Sequence, residues 1–331
     1  MQESNSKFDI VIVGGGPAGS STAIQCAKKG MSVVVLERES FPRARPGETL
    51  HPGVLPILKK LEVEREFLNQ NYERFSGTWS NLDGKFNLVE LGSDSSGPWR
   101  GFQAKRSSFD KLLLDKAIEL GVQVAQPCQP RTLISDGGRV LGVETLHQQF
   151  ESSLVVDCSG GKHWLARRLG LKVETFSPPM VVGYGYQKEC KWRDDQLPRY
   201  EVKPDGWTWW SKVGDNQYAW VQFGENNDAE KTDGQRSRRE NVTWRFVSLP
   251  AGPGYVLAGD AACVLDPSAG HGVLRALMSG MMAAEFCAGV LDCPTNESSL
   301  AQSYKAWLWD WYSHDMLAIK NMKRKQTKLE I

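Results

Sequence analysis

The chain reads as an α/β protein in which a helix-covered parallel sheet carries a second, antiparallel sheet, and three features point that way. Residues 8 to 38, FDIVIVGGGPAGSSTAIQCAKKGMSVVVLER, run strand, glycine turn, helix, strand, a complete βαβ unit. Two further apolar runs, Leu154 to Asp157 and Tyr255 to Ala258, lead into Ser159-Gly160-Gly161 and Gly259-Asp260, as buried strands entering glycine turns do. From about Pro178 to Pro250 the pattern becomes alternating, as in Tyr218-Ala-Trp220-Val-Gln-Phe223, the period of an antiparallel sheet.

Phe8 to Val13 are β-formers without alternation, so the first strand is buried on both faces. In Gly14-Gly15-Gly16-Pro17-Ala18-Gly19, Gly14 permits the tight turn, Gly16 lets an anion approach the backbone, and Gly19 lets the next helix pack close to the strand. That helix carries Ala18, Ala23, Ile24 and Ala27 at helical spacing and stops at Gly30. The second strand, Met31 to Leu36, ends in Glu37, which can accept both ribose hydroxyl hydrogens and disfavours a 2′-phosphate. The positive helix end favours a pyrophosphate by about 0.3–2 kcal/mol. With all four parts in order, the unit reads as a dinucleotide-binding motif.

The polar loop Arg38 to Thr49 is dense in Arg and Pro, as a solvated connection would be. A helix is expected over Pro52 to Asn69, with Val54, Leu55, Leu58 and Leu61 on one stripe. Tyr72 to Trp99 reads as short strands with turns at Asp83-Gly84 and Ser95-Ser96-Gly97-Pro98. The next helix runs from Arg106 to about Leu120, with Ser107 or Ser108 as N-cap and Gly121 as its stop. Val122 to Phe150 reads as a β-meander with a hairpin at Asp136-Gly137-Gly138. Six tryptophans, at 192, 207, 209, 210, 220 and 244, fall in the alternating region. They form either the core of a small sheet or part of a substrate cavity, and alternation puts Trp207 and Trp209 on one face, Trp210 on the other. Asp266-Pro267 and Gly270-His271-Gly272 precede a helix with small residues Ala276, Ser279, Gly280, Ala283 and Ala284, which permit close packing. The tail, Tyr304 to Ile331, reads as helical, with Trp307, Trp309 and Trp311 followed by Lys320, Lys323, Arg324, Lys325 and Lys328, either a solvated face or a partner dock. The implied division is a discontinuous nucleotide-binding domain (1–71, 100–177, 250–298), a sheet domain (72–99, 178–249) and a helical tail (299–331).

Composition narrows the classes. An apolar fraction of 40%, a charged fraction of 24% and a net charge of +1 describe an ordinary globular protein without a nucleic-acid footprint. The start MQESNSKFD has no apolar signal segment, and the stretch Met281 to Leu291 is short and interrupted by Glu285. The expectation is a cytoplasmic protein with no membrane span. Seven cysteines without a C-x-x-C predict free thiols, with no disulfide or metal site.

Three separated blocks resemble the glutathione-reductase-type FAD fold with a substrate sheet of the p-hydroxybenzoate-hydroxylase kind. They are Gly14 to Gly19 with Glu37, then Pro42-Arg43-Ala-Arg45-Pro-Gly47-Glu48, then Gly259-Asp260 with Asp266-Pro267 and Gly270-His-Gly272. Arg106-x-x-Phe109-Asp110 and Asp157-Cys-Ser159-Gly160 fit the same pattern. More narrowly, the chain resembles the branch of FAD-dependent monooxygenases, flavin-dependent halogenases and geranylgeranyl reductases. The resemblance implies non-covalent FAD, with O2 as co-substrate and either NAD(P)H or an external reductase as electron source. It implies that Asp260 accepts from a ribityl or ribose hydroxyl and that the backbone from Gly270 through Gly272 to Val273, after Pro267, faces the flavin N1–C2=O edge. Arg45 and Arg106 would reach the phosphates or the flavin end, and the backbone of Cys128 would meet the adenine. Pro17, Ala18, Arg38, Glu48, Thr49, Asp157, Gly160 and Gly259 complete the expected cofactor set. His51 and His271, in the two flavin-flanking loops, are candidates for proton management, against a structural hydrogen-bonding role.

Halogenases of this build carry a lysine just after the first helix. The matching segment, Tyr72-Glu-Arg74-Phe75-Ser-Gly77-Thr-Trp79, has none, and a permanently protonated Arg74 disfavours halogenation. No second G-x-G-x-x-G is present for a nicotinamide domain. Gly206-Trp207-Thr-Trp209-Trp210-Ser, with Gly77-Thr-Trp79-Ser, resembles the LodB-type flavoproteins that mature cysteine tryptophylquinone oxidases. That match implies flavin C4a-hydroperoxide chemistry hydroxylating an aromatic ring, that of a tryptophan on an oxidase precursor, held by Trp79, Trp207, Trp209 and Trp210. The alternatives are a halogenase, an ene-reductase acting on a lipid, and a non-enzymatic flavin-bearing scaffold.

Overall fold

The computed structural model describes residues 5–81, 85–188, 197–203, 205–214, 216–224 and 238–327. The expected turn at Asp83-Gly84, together with Cys190, Trp192 and Lys328, lies outside them, as do the side chains of residues 322–327.

The main sheet has eight strands. Gln123–Ala125, Val33–Leu36, Asn5–Val13 and Gln149–Asp157 run parallel in that spatial order. One edge of Gln149–Asp157 is shared: its first residues pair antiparallel with Arg139–Glu144, and its last pair parallel with Tyr255–Leu257. Ile10, Val11, Ile12, Val155 and Val156 are fully buried, as expected for strands covered on both faces. The Val122 to Phe150 stretch is therefore not one meander. Gln123–Ala125 leaves it to become the parallel edge strand, while Thr132–Asp136, Arg139–Glu144 and the start of Gln149–Asp157 form the expected antiparallel meander, with its hairpin at Gly137 and Gly138.

The first helix, Pro17–Lys28, packs against the long helix Gly272–Asp292 through small residues. A Cβ at Gly280 would lie 2.2 Å from Ser21 Oγ and 2.3 Å from the Ala18 carbonyl oxygen, so only glycine allows this approach. Thr22 Oγ1 donates to the Gly280 carbonyl at 3.0 Å and ties the helices together. Gly272–Asp292 holds the apolar stretch Met281 to Leu291 as its C-terminal half. At 21 residues and mean hydropathy 1.4 it passes for a membrane span by length and composition, but half of the apolar window is buried inside the protein.

Two further expectations are corrected. The helix over 52–69 is two short helices, Val54–Lys60 and Glu64–Leu68, because the chain reverses at Glu62 (φ 59°) and buries Leu61 and Val63 in the break. Arg106–Glu119 starts from Lys105 without a side-chain cap. Ser108 falls inside it, bonding back to the Lys105 carbonyl at 3.0 Å and to Tyr72 Oη at 2.8 Å.

The second large sheet has seven strands, ordered Arg238–Asn241, Val181–Gln187, Gln217–Phe223, Gly206–Gly214, Arg199–Lys203, Gly77–Ser80, Asn87–Glu90. Beside it, Thr49–Leu50, Glu73–Phe75 and Gly101–Gln103 form a small sheet joining the two halves. The C-terminal helix, Glu297–Thr327, docks on the core. Trp309 meets Phe246 at 5.1 Å and Phe176 at 5.6 Å between ring centroids, and Tyr304 Oη donates to the Leu257 carbonyl at 2.7 Å. Trp309 is thus a packing residue rather than a free anchor, whereas Trp311 stays exposed.

Candidate cofactor and active site

The glycine turn separates structural from ligand-facing positions. Gly14 has φ 102°, and a Cβ there would sit 2.5 Å from the Cys158 carbonyl oxygen. A Cβ at Gly19 would overlap the Gly14 carbonyl oxygen at 1.8 Å. At Gly16 the same atom would meet only Arg43 Nη2, at 3.3 Å. Gly16 is the N-cap of the first helix, with no side-chain cap and no acidic residue in the first turn, so that helix end suits a phosphate anion. Pro17 and Ala18, both buried, form the first helical turn. Glu37 stands beside it, one carboxylate oxygen accepting from Gly15 N–H at 2.8 Å and the other from Glu39 N–H at 2.9 Å. The backbone N–H of Cys128 donates to the Glu37 carbonyl at 2.6 Å, which sets that residue next to Glu37.

The arginine beside the turn is Arg43, which the sequence reading passed over. It lies over Phe41 (4.5 Å to the ring centroid), pairs with Asp110 at 3.0 Å and lies 3.7 Å from Glu37. Arg45 and Arg38 instead pair with Glu39 at the rim, which leaves Arg43 as the cation beside the glycine turn. The Pro42 to Glu48 block and the density of Arg in this loop signalled a cation here. Arg106 is buried and holds Asp110 through two bonds, Nε–Oδ1 2.7 Å and Nη2–Oδ2 3.0 Å, while Nη1 donates to the Pro46 carbonyl at 2.6 Å.

Glu48 is buried where the two large sheets approach each other. Burial pushes its carboxyl up, against the opposing pull of the Tyr186 hydroxyl, which donates to it, and of Arg106. Thr49 Oγ1 accepts from Trp209 Nε1 at 3.0 Å. These two bonds identify the face of the seven-stranded sheet that looks at the cofactor loop, the face carrying Tyr184, Tyr186, Tyr200, Trp207 and Trp209. Leu88, Trp79, Arg199, Trp210 and Trp220 stand in register in the next row and point to the opposite face. Trp79 and Trp210 are therefore removed from the expected substrate set, and Trp207 and Trp209 remain.

The facing wall comes from the chain after Tyr255–Leu257. Gly259 (φ 59°) donates its N–H to Ser279 Oγ at 2.8 Å, and Asp260 projects into the open. Neighbouring protein atoms partly desolvate that carboxyl and raise its pKa, against the pull of Arg275, Arg106 and Arg245. Pro267–Ala269 is a tight helical turn ending at Gly270 (φ 70°), and a Cβ at Gly270 or Gly272 would meet nothing within 4 Å. Val273 Cγ2 reaches to 3.6 Å from where a Gly47 Cβ would stand, so the two loops meet. A cleft lined by Asp260, Cys263, Arg275, Ser279, Trp307 and Trp311 continues from this wall under the C-terminal helix.

The structure brings His51 and His271 together, ring centroids 4.9 Å apart and edge to face at 87°. Asp157 is corrected. Its carboxylate is wholly buried, accepting from Ser159 N–H at 2.9 Å and Leu165 N–H at 2.8 Å, so it shapes the Gly160 turn (φ 86°) instead of touching a ligand. The remaining features fit FAD: an open helix end for the pyrophosphate, a preset ribose acid, a second carboxylate at Asp260, and an unobstructed backbone at Gly270 and Gly272.

Comparison with known proteins agrees. The FAD binding domain family model matches residues 7–242. The chain is 27% identical to a 1H-pyrrole-2-carbonyl-(peptidyl-carrier protein) brominase of Pseudoalteromonas luteoviolacea, over 86% of this chain and 78% of that protein. It is 25% identical to a digeranylgeranylglycerophospholipid reductase of Thermoplasma acidophilum, over 90% of this chain and 82% of that protein. Its fold matches that of the flavin-dependent brominase Bmp2 with a TM-score of 0.79 at 23% identity, covering 92% of this chain and 84% of that one. The chain belongs to the FAD binding domain family and is a flavin-dependent oxidoreductase with FAD as its cofactor.

Proposed function

We propose that this chain is an FAD-dependent monooxygenase that transfers oxygen to an electron-rich aromatic ring borne on a polypeptide. The observation that carries this reading is the aromatic face of the seven-stranded sheet, fastened to the cofactor loop by Trp209–Thr49 and Tyr186–Glu48. Reduced FAD, when bound, supplies the activation of O2. The protein's part is to hold a ring against that face, where aromatic contacts add about 0.5–1.5 kcal/mol each beyond burial, and to exclude water. Glu48 and Arg106 fix the Gly47 loop, and Arg43 and Arg106 supply positive charge along the pyrophosphate path. A tryptophan of a quinone-cofactor oxidase precursor fits the proposed pocket chemistry, and the brominase relative's name, with its carrier-protein-linked pyrrole, also describes an aromatic ring presented by a protein.

The test is the intact mass of a candidate precursor co-expressed with and without this chain. Whole oxygen atoms added to one tryptophan, only in the chain's presence, are expected. Rapid hydroxylation of free small aromatics, indifferent to any polypeptide, contradicts the reading.

The relatives make halogenation the second reading. Against it, Arg74 occupies the segment where a lysine would stand, and it is engaged: its guanidinium lies 4.0 Å from the Phe102 ring centroid and donates to the Gly101 and Arg100 carbonyls at 3.3 and 3.0 Å. Reduced holoprotein with O2 and bromide or chloride is expected to give no halogenated indole or pyrrole. Such a product forming at the rate of flavin turnover would make halogenation the activity.

A further inference from the structure

The His51–His271 pair has a third member that comes from far along the chain. His51 Nδ1 accepts from Gly53 N–H at 3.0 Å, so that nitrogen carries a lone pair and the neutral ring bears its proton on Nε2. Burial, then the neighbouring His271, lowers the pKa of His51. Two imidazoliums edge to face at 4.9 Å repel, so the pair does not readily carry two protons at once. On the other side of His271, its Nδ1 lies 3.6 Å from Asp315 Oδ2, an ion-pair distance. Asp315 belongs to the C-terminal helix, and its side chain is 6% exposed. The same carboxylate oxygen takes Arg275 Nη1 at 3.1 Å, and Oδ1 lies 3.4 Å from His314 Nδ1. Burial raises the pKa of Asp315, but His271, Arg275 and His314 together outweigh it and the net shift is downward.

We propose that Asp315 is a positioning residue that sets the ring of His271 against His51 and makes His271 the ring of the pair that takes up a proton. The C-terminal helix is thereby part of the active site's proton control. The other ionisable groups facing this cluster are Asp260 and Cys263, from the loop after Tyr255–Leu257, and Tyr312, one turn before Asp315; all three sense Arg275. Tyr312, stacked on Trp309 at 5.8 Å between centroids, holds the helix in register, so Asp315 has a fixed place from which to act. The pair serves the flavin only if the isoalloxazine lies at the Gly270–Val273 loop, so this last step rests on the FAD-site reading above.

The experiment is a ring-nitrogen NMR titration of the histidines in the FAD-loaded full chain, alongside the pH profile of flavin reoxidation by O2. Asp315→Asn removes the carboxylate and is expected to weaken proton binding at His271 about tenfold, moving both the ring titration and the reoxidation profile to lower pH. Arg275→Gln removes the competing cation and is expected to move both to higher pH, an opposite sign that mere loosening of the structure does not produce. If Asp315→Asn fails to fold, Arg275→Gln decides alone. A His271 titration unmoved in the folded variants overturns the role of Asp315. A titration that moves while the reoxidation profile stays fixed upholds Asp315 as the positioning group and overturns the placement of the flavin beside the pair.

Discussion

Gly16→Val is expected to give a folded but colourless chain whose FAD affinity has fallen at least about 100-fold, about 2.7 kcal/mol. The backbone at Gly16, φ −74° and ψ −172°, suits any residue, and the only neighbour of a new Cβ is the movable end of Arg43 at 3.3 Å. The fold therefore tolerates the side chain, while the pyrophosphate loses its approach to the helix end. Gly19→Val is the control of opposite kind. Its Cβ would stand 1.8 Å from the Gly14 carbonyl oxygen, a backbone atom that cannot move without parting strand from helix. That variant is expected to lose more than about 3 kcal/mol of stability or fail to fold. Thermal melting and flavin absorbance read the two effects separately. A Gly16→Val protein that stays yellow contradicts the assignment of this position.

Arg106→Leu is expected to cost about 3–5 kcal/mol, because it leaves Asp110 and Glu48 buried without their shared cation. The deficit should be largest near neutral pH and shrink toward acid, where the stranded carboxylates take up protons. Adding Asp110→Asn to Arg106→Leu should cost less than the same change in the wild type, since the carboxylate has by then lost one of its two arginines. Urea unfolding at two pH values measures both effects. A loss of under about 1 kcal/mol, or one independent of pH, would show that this network does not hold the loop.

The nucleotide unit was legible because its requirements are local. A turn with φ 102° at Gly14, the contact of Gly19 with the strand, and an acid closing the second strand all lie within one short segment. Alternation likewise separated Trp207 and Trp209 from Trp210 before any coordinates. What stayed hidden depends on partners distant in the chain. Nothing local distinguishes Arg43 from Arg45; the choice is made by Asp110, on the Arg106–Glu119 helix. The break at Glu62 interrupts a stripe that reads as one helix, because burying Leu61 and Val63 outweighs helical continuity. Trp79 entered the expected substrate set through the resemblance of Gly77-Thr-Trp79-Ser, and only its register with Arg199 turned it to the far face. Asp315 sits in a tail whose tryptophans and lysines suggested docking, and its role follows from packing against Gly272–Asp292.

The central claim, that this site is built for FAD, is tested most directly by acid release of the chromophore from the purified full chain. A yellow protein that releases FAD intact, one molecule per chain, with no covalent residue left behind, is expected. A colourless protein that takes up NAD but no FAD contradicts the claim.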